Sequence, residues 1–175
     1  MYYPLVIIAT SLLVMIAYQD YTARAVAWIF FPLLAATGTG LSYISLHSLN
    51  NVGMNSLLNL GFLALQLILL KGYFYIRNKS GSALIDKKLG LGDILFLVAA
   101  CFFFSPLNFI VFYICSLIFS ICVFLGWTWT KNNDQERTVP LAGLQAAFFL
   151  AVLFICGYLQ YSLTDDALLL FKIRI

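Results

Sequence analysis

Apolar residues recur along the chain in long runs that short polar segments separate. We predict a membrane-spanning helix from each run, because an α-helix needs roughly 20 mostly apolar residues to cross the hydrocarbon core of a bilayer. The sequence therefore predicts an all-α, polytopic membrane protein with six spans, forming a single domain over residues 1–175. The predicted spans are Tyr2 to Tyr18, Ala25 to Ile44, Leu57 to Ile76, Leu89 to Phe104, Phe109 to Trp129 and Pro140 to Gln160.

The composition agrees with this pattern. Of the 175 residues, 63% are hydrophobic and 10% are charged, which lies far outside the usual range of soluble domains. The distribution of Lys and Arg then predicts the orientation, because cytoplasmic loops of membrane proteins are enriched in both. The loops after the first, third and fifth predicted spans are basic, so we expect them in the cytoplasm and the N-terminus outside. These loops hold Arg24, then Arg77, Lys79, Lys87 and Lys88, then Lys131 and Arg137. For the tail from Asp165 to Ile175 we predict a short interfacial helix.

Two acids lie near the predicted cytoplasmic boundary. Asp20 directly follows the first apolar run, and Asp93 lies about one turn inside the fourth predicted span, roughly 6 Å from its start. A carboxylate at membrane depth is costly and marks a candidate functional site. Each acid also has an ordinary alternative: Asp20 could pair with Arg24 four residues later, and Asp93 could join two helices through a polar contact.

Taken together, the two acids resemble the machinery of an aspartic protease. Peptide hydrolysis without a metal needs one ionised carboxylate to take a proton from water and one protonated carboxyl group to give a proton to the peptide carbonyl. Two close carboxylates meet this need, because like charges a few ångströms apart cannot both ionise cheaply. Gly90 and Gly92 flank Leu91 just before Asp93, and we expect them to leave room in a cleft for an extended substrate.

These residues resemble the type IV prepilin peptidases and the archaeal preflagellin peptidases, which are intramembrane aspartic proteases of the glycine-x-glycine-aspartate class. Gly90-Leu91-Gly92-Asp93 matches the motif that names this class, and Asp20-Tyr21-Thr22-Ala23-Arg24-Ala25-Val26 is similar to the segment around the family's first aspartate. Val139-Pro140-Leu141-Ala142 is similar to the stretch that opens the family's last span. The resemblance covers nearly the whole chain. It implies that Asp20 and Asp93 are the catalytic dyad, that Gly90 and Gly92 shape the cleft, and that Arg24 orients Asp20 or a substrate carbonyl.

The sequence departs from the family at a few positions. Ala27-Trp28 stands where members commonly carry Pro-Asn, Leu95 where they carry Lys, and Gly143 where they carry a second proline. The longer members also have a cysteine-rich N-terminal segment linked with methyl transfer, and we expect this chain to be a short form without that activity. Its four cysteines, Cys101, Cys115, Cys122 and Cys156, all lie in apolar spans, where we expect buried hydrophobic side chains rather than a zinc site or disulfides.

The resemblance implies leader cleavage of type IV pilin-like or pseudopilin precursors at the cytoplasmic face of a prokaryotic cytoplasmic (inner) membrane. It implies no cofactor or metal and no nucleic acid partner, and we expect a monomer or weak dimer in the lipid bilayer. Two other classes of function stay open at this point. Asp93 could relay protons in a proton-coupled carrier, although transport sites usually lie near the bilayer midplane. The chain could also be a catalytically silent membrane assembly protein of the same fold.

Overall fold

The computed structural model describes residues 2–78, 90–130, 141–159 and 161–164. These residues contain six helices and no strand. The helices are α1 (Tyr2–Ala23), α2 (Phe30–Leu46), α3 (Leu49–Asn78), α4 (Leu91–Ala100), α5 (Pro106–Thr130) and α6 (Leu141–Leu159). The all-helical fold predicted from the apolar runs is thus observed for the described part of the chain.

Four of the six helices are long and apolar enough to cross a membrane. They are α1, α3, α5 and α6, and their spanning segments run Tyr2–Ala23, Leu49–Tyr73, Pro106–Gly126 and Leu141–Leu159. Helices α2 and α4 are apolar but shorter, with 17 and 10 residues. Helices of this length and composition indicate a membrane protein, with four candidate spans of full length among the described residues. The count of six spans stays a prediction.

Helix α1 continues past its predicted end at Tyr18 and includes Asp20 in its last turns. It stops after Ala23, where Arg24 adopts a positive φ of 50° and its N–H bonds the carbonyl of Asp20 at 3.2 Å. A left-handed residue of this kind commonly ends a helix. Helix α2 then begins at Phe30, five residues later than predicted, because residues 24–29 form the turn between the two helices.

Residues 45–56, which the predicted spans leave as a polar loop, are mostly helical. Helix α2 ends at Leu46, His47 turns the chain with a φ of 51°, and α3 begins at Leu49. The asparagines of this segment lie in the first turns of α3, so polar composition here marks the outer part of a helix. Val52 lies on the buried side of the same turns, with 3% of its surface exposed.

Helix α6 lies centrally in the bundle. It packs most extensively against α1, and also contacts α5 and α4, while α2 packs against α1 and α4. Phe149 of α6 is fully buried against Phe96, Phe103, Phe104 and Phe112, with ring centroids 5.0–6.5 Å apart. Lipid tails are as apolar as these rings, so close packing rather than escape from water holds the cluster together. Aromatic pairs at such distances contribute about 0.5–1.5 kcal/mol each.

A buried asparagine stabilises the outer end of α4. The side-chain Nδ2 of Asn59, on α3, donates to the carbonyls of Cys101 at 2.9 Å and Phe104 at 2.8 Å. These carbonyls lie where α4 has ended and have no helical partner, so the amide supplies hydrogen bonds that lipid cannot. The contact thus ties α3 to the turn between α4 and α5.

The four cysteines are free thiols, but they divide between two environments. Cys101 and Cys156 are buried as expected, whereas Cys115 and Cys122 on α5 are exposed on the surface of the bundle. The predicted burial is therefore correct for two and wrong for the other two.

Other predictions lie outside the described residues: most of the basic segment from Arg77 to Lys88, the Val139-Pro140 pair, and the interfacial helix from Asp165 to Ile175.

Candidate active site

Asp20 is hydrogen-bonded to the first turn of α6. Its carboxylate Oδ2 accepts the N–H of Gly143 at 2.5 Å, and only 8% of its surface is exposed. The Arg24 side chain lies close enough for its charge to act on the Asp20 carboxylate. Asp20 is therefore more than a solvated acid paired with a neighbouring arginine, because its main hydrogen bond comes from another helix.

Gly143 permits this contact because it has no side chain. A Cβ at this position would lie 3.0 Å from Oδ2 of Asp20, 3.1 Å from its Cβ, and 3.4 Å from the carbonyl oxygen of Ala17. Helices α1 and α6 thus approach each other closely at this level. The N–H also matters, since a proline at position 143 could not donate a hydrogen bond.

Asp93 occupies the third position of α4, and Gly90 is the residue that caps the helix start. The Asp93 N–H donates to the Gly90 carbonyl at 3.0 Å, and the Asp93 carboxylate accepts the backbone N–H of Gly90 in return. This is one half of a capping box, the half in which an acid at the third helical position bonds back to the N–H of the cap residue. Asp93 therefore has a local structural role in addition to any chemical one.

The two motif glycines differ in their surroundings. A Cβ on Gly90 would lie 2.9 Å from Oδ2 of Asp93, although the Gly90 backbone (φ −67°, ψ 127°) suits any residue. A Cβ at position 90 would therefore push the Asp93 carboxylate aside, although the backbone conformation would tolerate one. A Cβ on Gly92 would touch no atom of the described residues within 4 Å, so the space beside Gly92 is open there.

The first turn of α6 brings the acids together. Asp93 accepts a second backbone hydrogen bond, from the N–H of Ala142, which directly precedes the amide that binds Asp20. Consecutive Cα atoms are about 3.8 Å apart, and the charge of Asp20 acts on Asp93. Both carboxylates thus lie at one end of the bundle, where the helix dipole of α6 favours negative charge.

A shared proton requires the first and fourth predicted spans to be neighbours at their cytoplasmic ends. At this end the charge of Asp20, on α1, acts on Asp93, on α4. The extensive contacts of α1 are with α6 and α2, and the start of α6 lies against both acids. Hydropathy along the chain could not reveal this arrangement, because it depends on which helix ends meet in space.

At the positions where this chain differs from the family that it resembles, the residue either donates a backbone hydrogen bond or lies on the surface of the bundle. The N–H of Ala27 donates to Oε1 of Gln19 at 3.0 Å, so at both 27 and 143 this chain has an amide donor that proline would lack. The side chain of Trp28 is 71% exposed and that of Leu95 is 38% exposed. The segment after α1 is thus tied to the residue next to Asp20.

Sequence reasoning missed two features of this site. It used the start of α6 only for its sequence similarity to the family. The small residues at 142 and 143 also indicate that another helix can approach the backbone of α6 closely there. It also overlooked Gln145, a polar residue in the apolar run of α6, whose side chain is fully buried. Both features belong to α6, which the two-acid hypothesis did not include.

A cavity of about 460 Å³ lies at the opposite end of the bundle, near the start of α1. Its hydroxyl groups bond to one another: Ser45 to Ser162 at 2.9 Å, and Thr164 to Ser45 at 2.6 Å. Both acids are remote from this cavity.

Comparison of the chain with protein-family models, with curated proteins and with solved structures finds no match.

Proposed function

We propose that this protein is an intramembrane aspartic endopeptidase that removes the leader from type IV pilin-like precursors at the cytoplasmic face of a prokaryotic membrane. In this proposal α2 and α4 complete six spans, and the N-terminus is outside, as the basic loops predict. The observation that supports the proposal best is the convergence of Asp20 and Asp93 on successive backbone amides at the start of α6. The substrate class rests on the family resemblance.

The chemistry needs the dyad to hold one proton. The ionised carboxylate takes a proton from a water molecule as the water oxygen attacks the carbonyl carbon of the substrate, and the protonated carboxyl group gives its proton to the carbonyl oxygen. Collapse of the tetrahedral intermediate breaks the C–N bond, and a carboxyl proton passes to the departing amine. The Gly143 and Ala142 amides keep both carboxyl groups in place during these transfers.

The position of the acids favours this reaction over transport. Asp20 lies in the last turns of α1 and Asp93 in the first turn of α4, so both are at helix ends. A carrier that relays protons through a single acid is expected to hold it near the midplane. The proposed water therefore needs to reach only the end of the bundle.

The test uses the full chain in proteoliposomes with a pilin-like precursor. Asp20→Asn and Asp93→Asn should each abolish cleavage, and the double variant should be no worse than either, because members of one catalytic unit are strongly non-additive. Asp134→Asn, in the loop predicted on the same side, is the matched control and should cleave as the unmodified chain does. Cleavage retained in either site variant, or absent in the unmodified chain, would overturn the proposal.

A further inference from the structure

Gln145 is a polar side chain inside the apolar run of α6. It is fully buried, and neither Oε1 nor Nε2 has a hydrogen-bond partner among the residues that the structure describes. Asn59 has the same functional group and is 1% exposed, but its Nδ2 makes two hydrogen bonds. Packing alone therefore does not explain why an amide stands at position 145.

An unpaired amide in a protein interior is unfavourable, because it gives up its hydrogen bonds to water without receiving others. An unbranched apolar side chain of similar length, such as methionine, would fill the same space without that loss. Buried polar groups left unsatisfied in a membrane protein are candidates for a functional role. A partner that satisfies Gln145 has to supply both a donor and an acceptor.

Gln145 lies close to the acids along α6. It follows Ala142, whose N–H binds Asp93, by three residues, and residues three apart share a helix face. It precedes Phe149 by four residues on the same inward side, and Phe149 contacts Phe96 of α4. At about 1.5 Å per residue, Gln145 lies roughly 4.5 Å deeper in the bundle than Ala142.

We infer that Gln145 binds a main-chain peptide group of the substrate, next to the bond that the dyad hydrolyses. This inference rests on the proposed function. A primary amide offers a donor and an acceptor, which complement the C=O and N–H of a peptide group. An extended peptide advances about 3.3 Å per residue, so an offset of roughly 4.5 Å corresponds to a peptide group one or two residues from the scissile bond.

The experiment compares Gln145→Met with Gln66→Met. Both replace glutamine by methionine inside a helix, but Gln66 is only partly buried and lies on α3, which does not pack extensively against α1 or α6. We expect Gln145→Met to lower kcat/KM for the precursor about 10- to 100-fold, mostly through KM, since two hydrogen bonds to substrate are lost. Its thermal stability should equal or exceed that of the unmodified chain, and Gln66→Met should leave kcat/KM unchanged.

Substrate peptides with an ester in place of one amide bond extend the test. An ester one or two residues from the scissile bond removes the N–H, so the unmodified chain should lose activity on one such peptide while Gln145→Met loses none further. Equal kcat/KM for Gln145→Met and the unmodified chain, or equal ester sensitivity in both, would overturn this inference alone. Failure of the unmodified chain to cleave, or cleavage that survives Asp93→Asn, would instead overturn the proposed function and this inference with it.

Discussion

The contact between α1 and α6 can be tested by adding one methyl group. Gly143→Ala keeps the backbone N–H that Asp20 accepts but adds a Cβ to the tightest point of the interface. That Cβ would lie 3.0 Å from Oδ2 of Asp20 and 3.4 Å from the carbonyl oxygen of Ala17. The Asp20 side chain is buried and bonded, and the Ala17 carbonyl is backbone, so neither atom can move aside without shifting a helix.

Opposing effects set the expected change in the free energy of unfolding. Alanine favours a helix over glycine by up to about 1 kcal/mol. Overpacking a tight contact costs about 1–3 kcal/mol, and a hydrogen bond to a charged group contributes about 1.5–3 kcal/mol when it is intact. The helices relieve the overlap by moving apart, which weakens that bond, so we expect Gly143→Ala to lower the free energy of unfolding by about 1–3 kcal/mol.

Gly157 provides the matched control on the same helix, because a Cβ there would meet no atom of the described residues within 4 Å. Gly157→Ala should keep or raise stability by up to about 1 kcal/mol. Both variants can be measured by thermal unfolding in one detergent, where about 1–3 kcal/mol corresponds to roughly 3–10 °C in Tm for a chain of this size. A Tm for Gly143→Ala equal to or above that of Gly157→Ala would refute the close packing of α1 and α6 at Asp20.

Two further predictions concern the glycine motif and the topology. Gly92→Ala should raise the Tm, because alanine favours a helix over glycine and its Cβ would meet no atom of the described residues. Gly90→Ala should lower the rate of cleavage at least tenfold, because its Cβ would displace the Asp93 carboxylate. A fully active Gly90→Ala would contradict the contact between Gly90 and Asp93. A reporter fused after Asn133 should read cytoplasmic and one after Asn50 external, because the basic residues are so unevenly distributed. The reverse pattern would place both acids on the outer side and end the peptidase proposal.

The sequence alone determined that the chain forms apolar helices and which acids deserve attention. Long apolar runs dictate helices in lipid, because no other local structure satisfies the backbone hydrogen bonds there. The same local information identified Asp20 and Asp93 as unusual, since a carboxylate beside an apolar run is costly wherever the run packs. Helix ends were less well predicted: α1 extends to Ala23 and α3 begins at Leu49.

Tertiary structure decided which groups meet. Contacts between helices in a bilayer are not encoded by hydrophobicity, because lipid tails are as apolar as the side chains they replace. Hydropathy could therefore not show that Gly143 and Ala142 donate to the two acids, or that α6 packs against both α1 and α4. Nor could it show that Gln145 is buried without a partner in the described part of the chain, while Asn59 makes two hydrogen bonds. Whether a polar side chain is satisfied depends on atoms distant in sequence, and only the packed bundle brings them together.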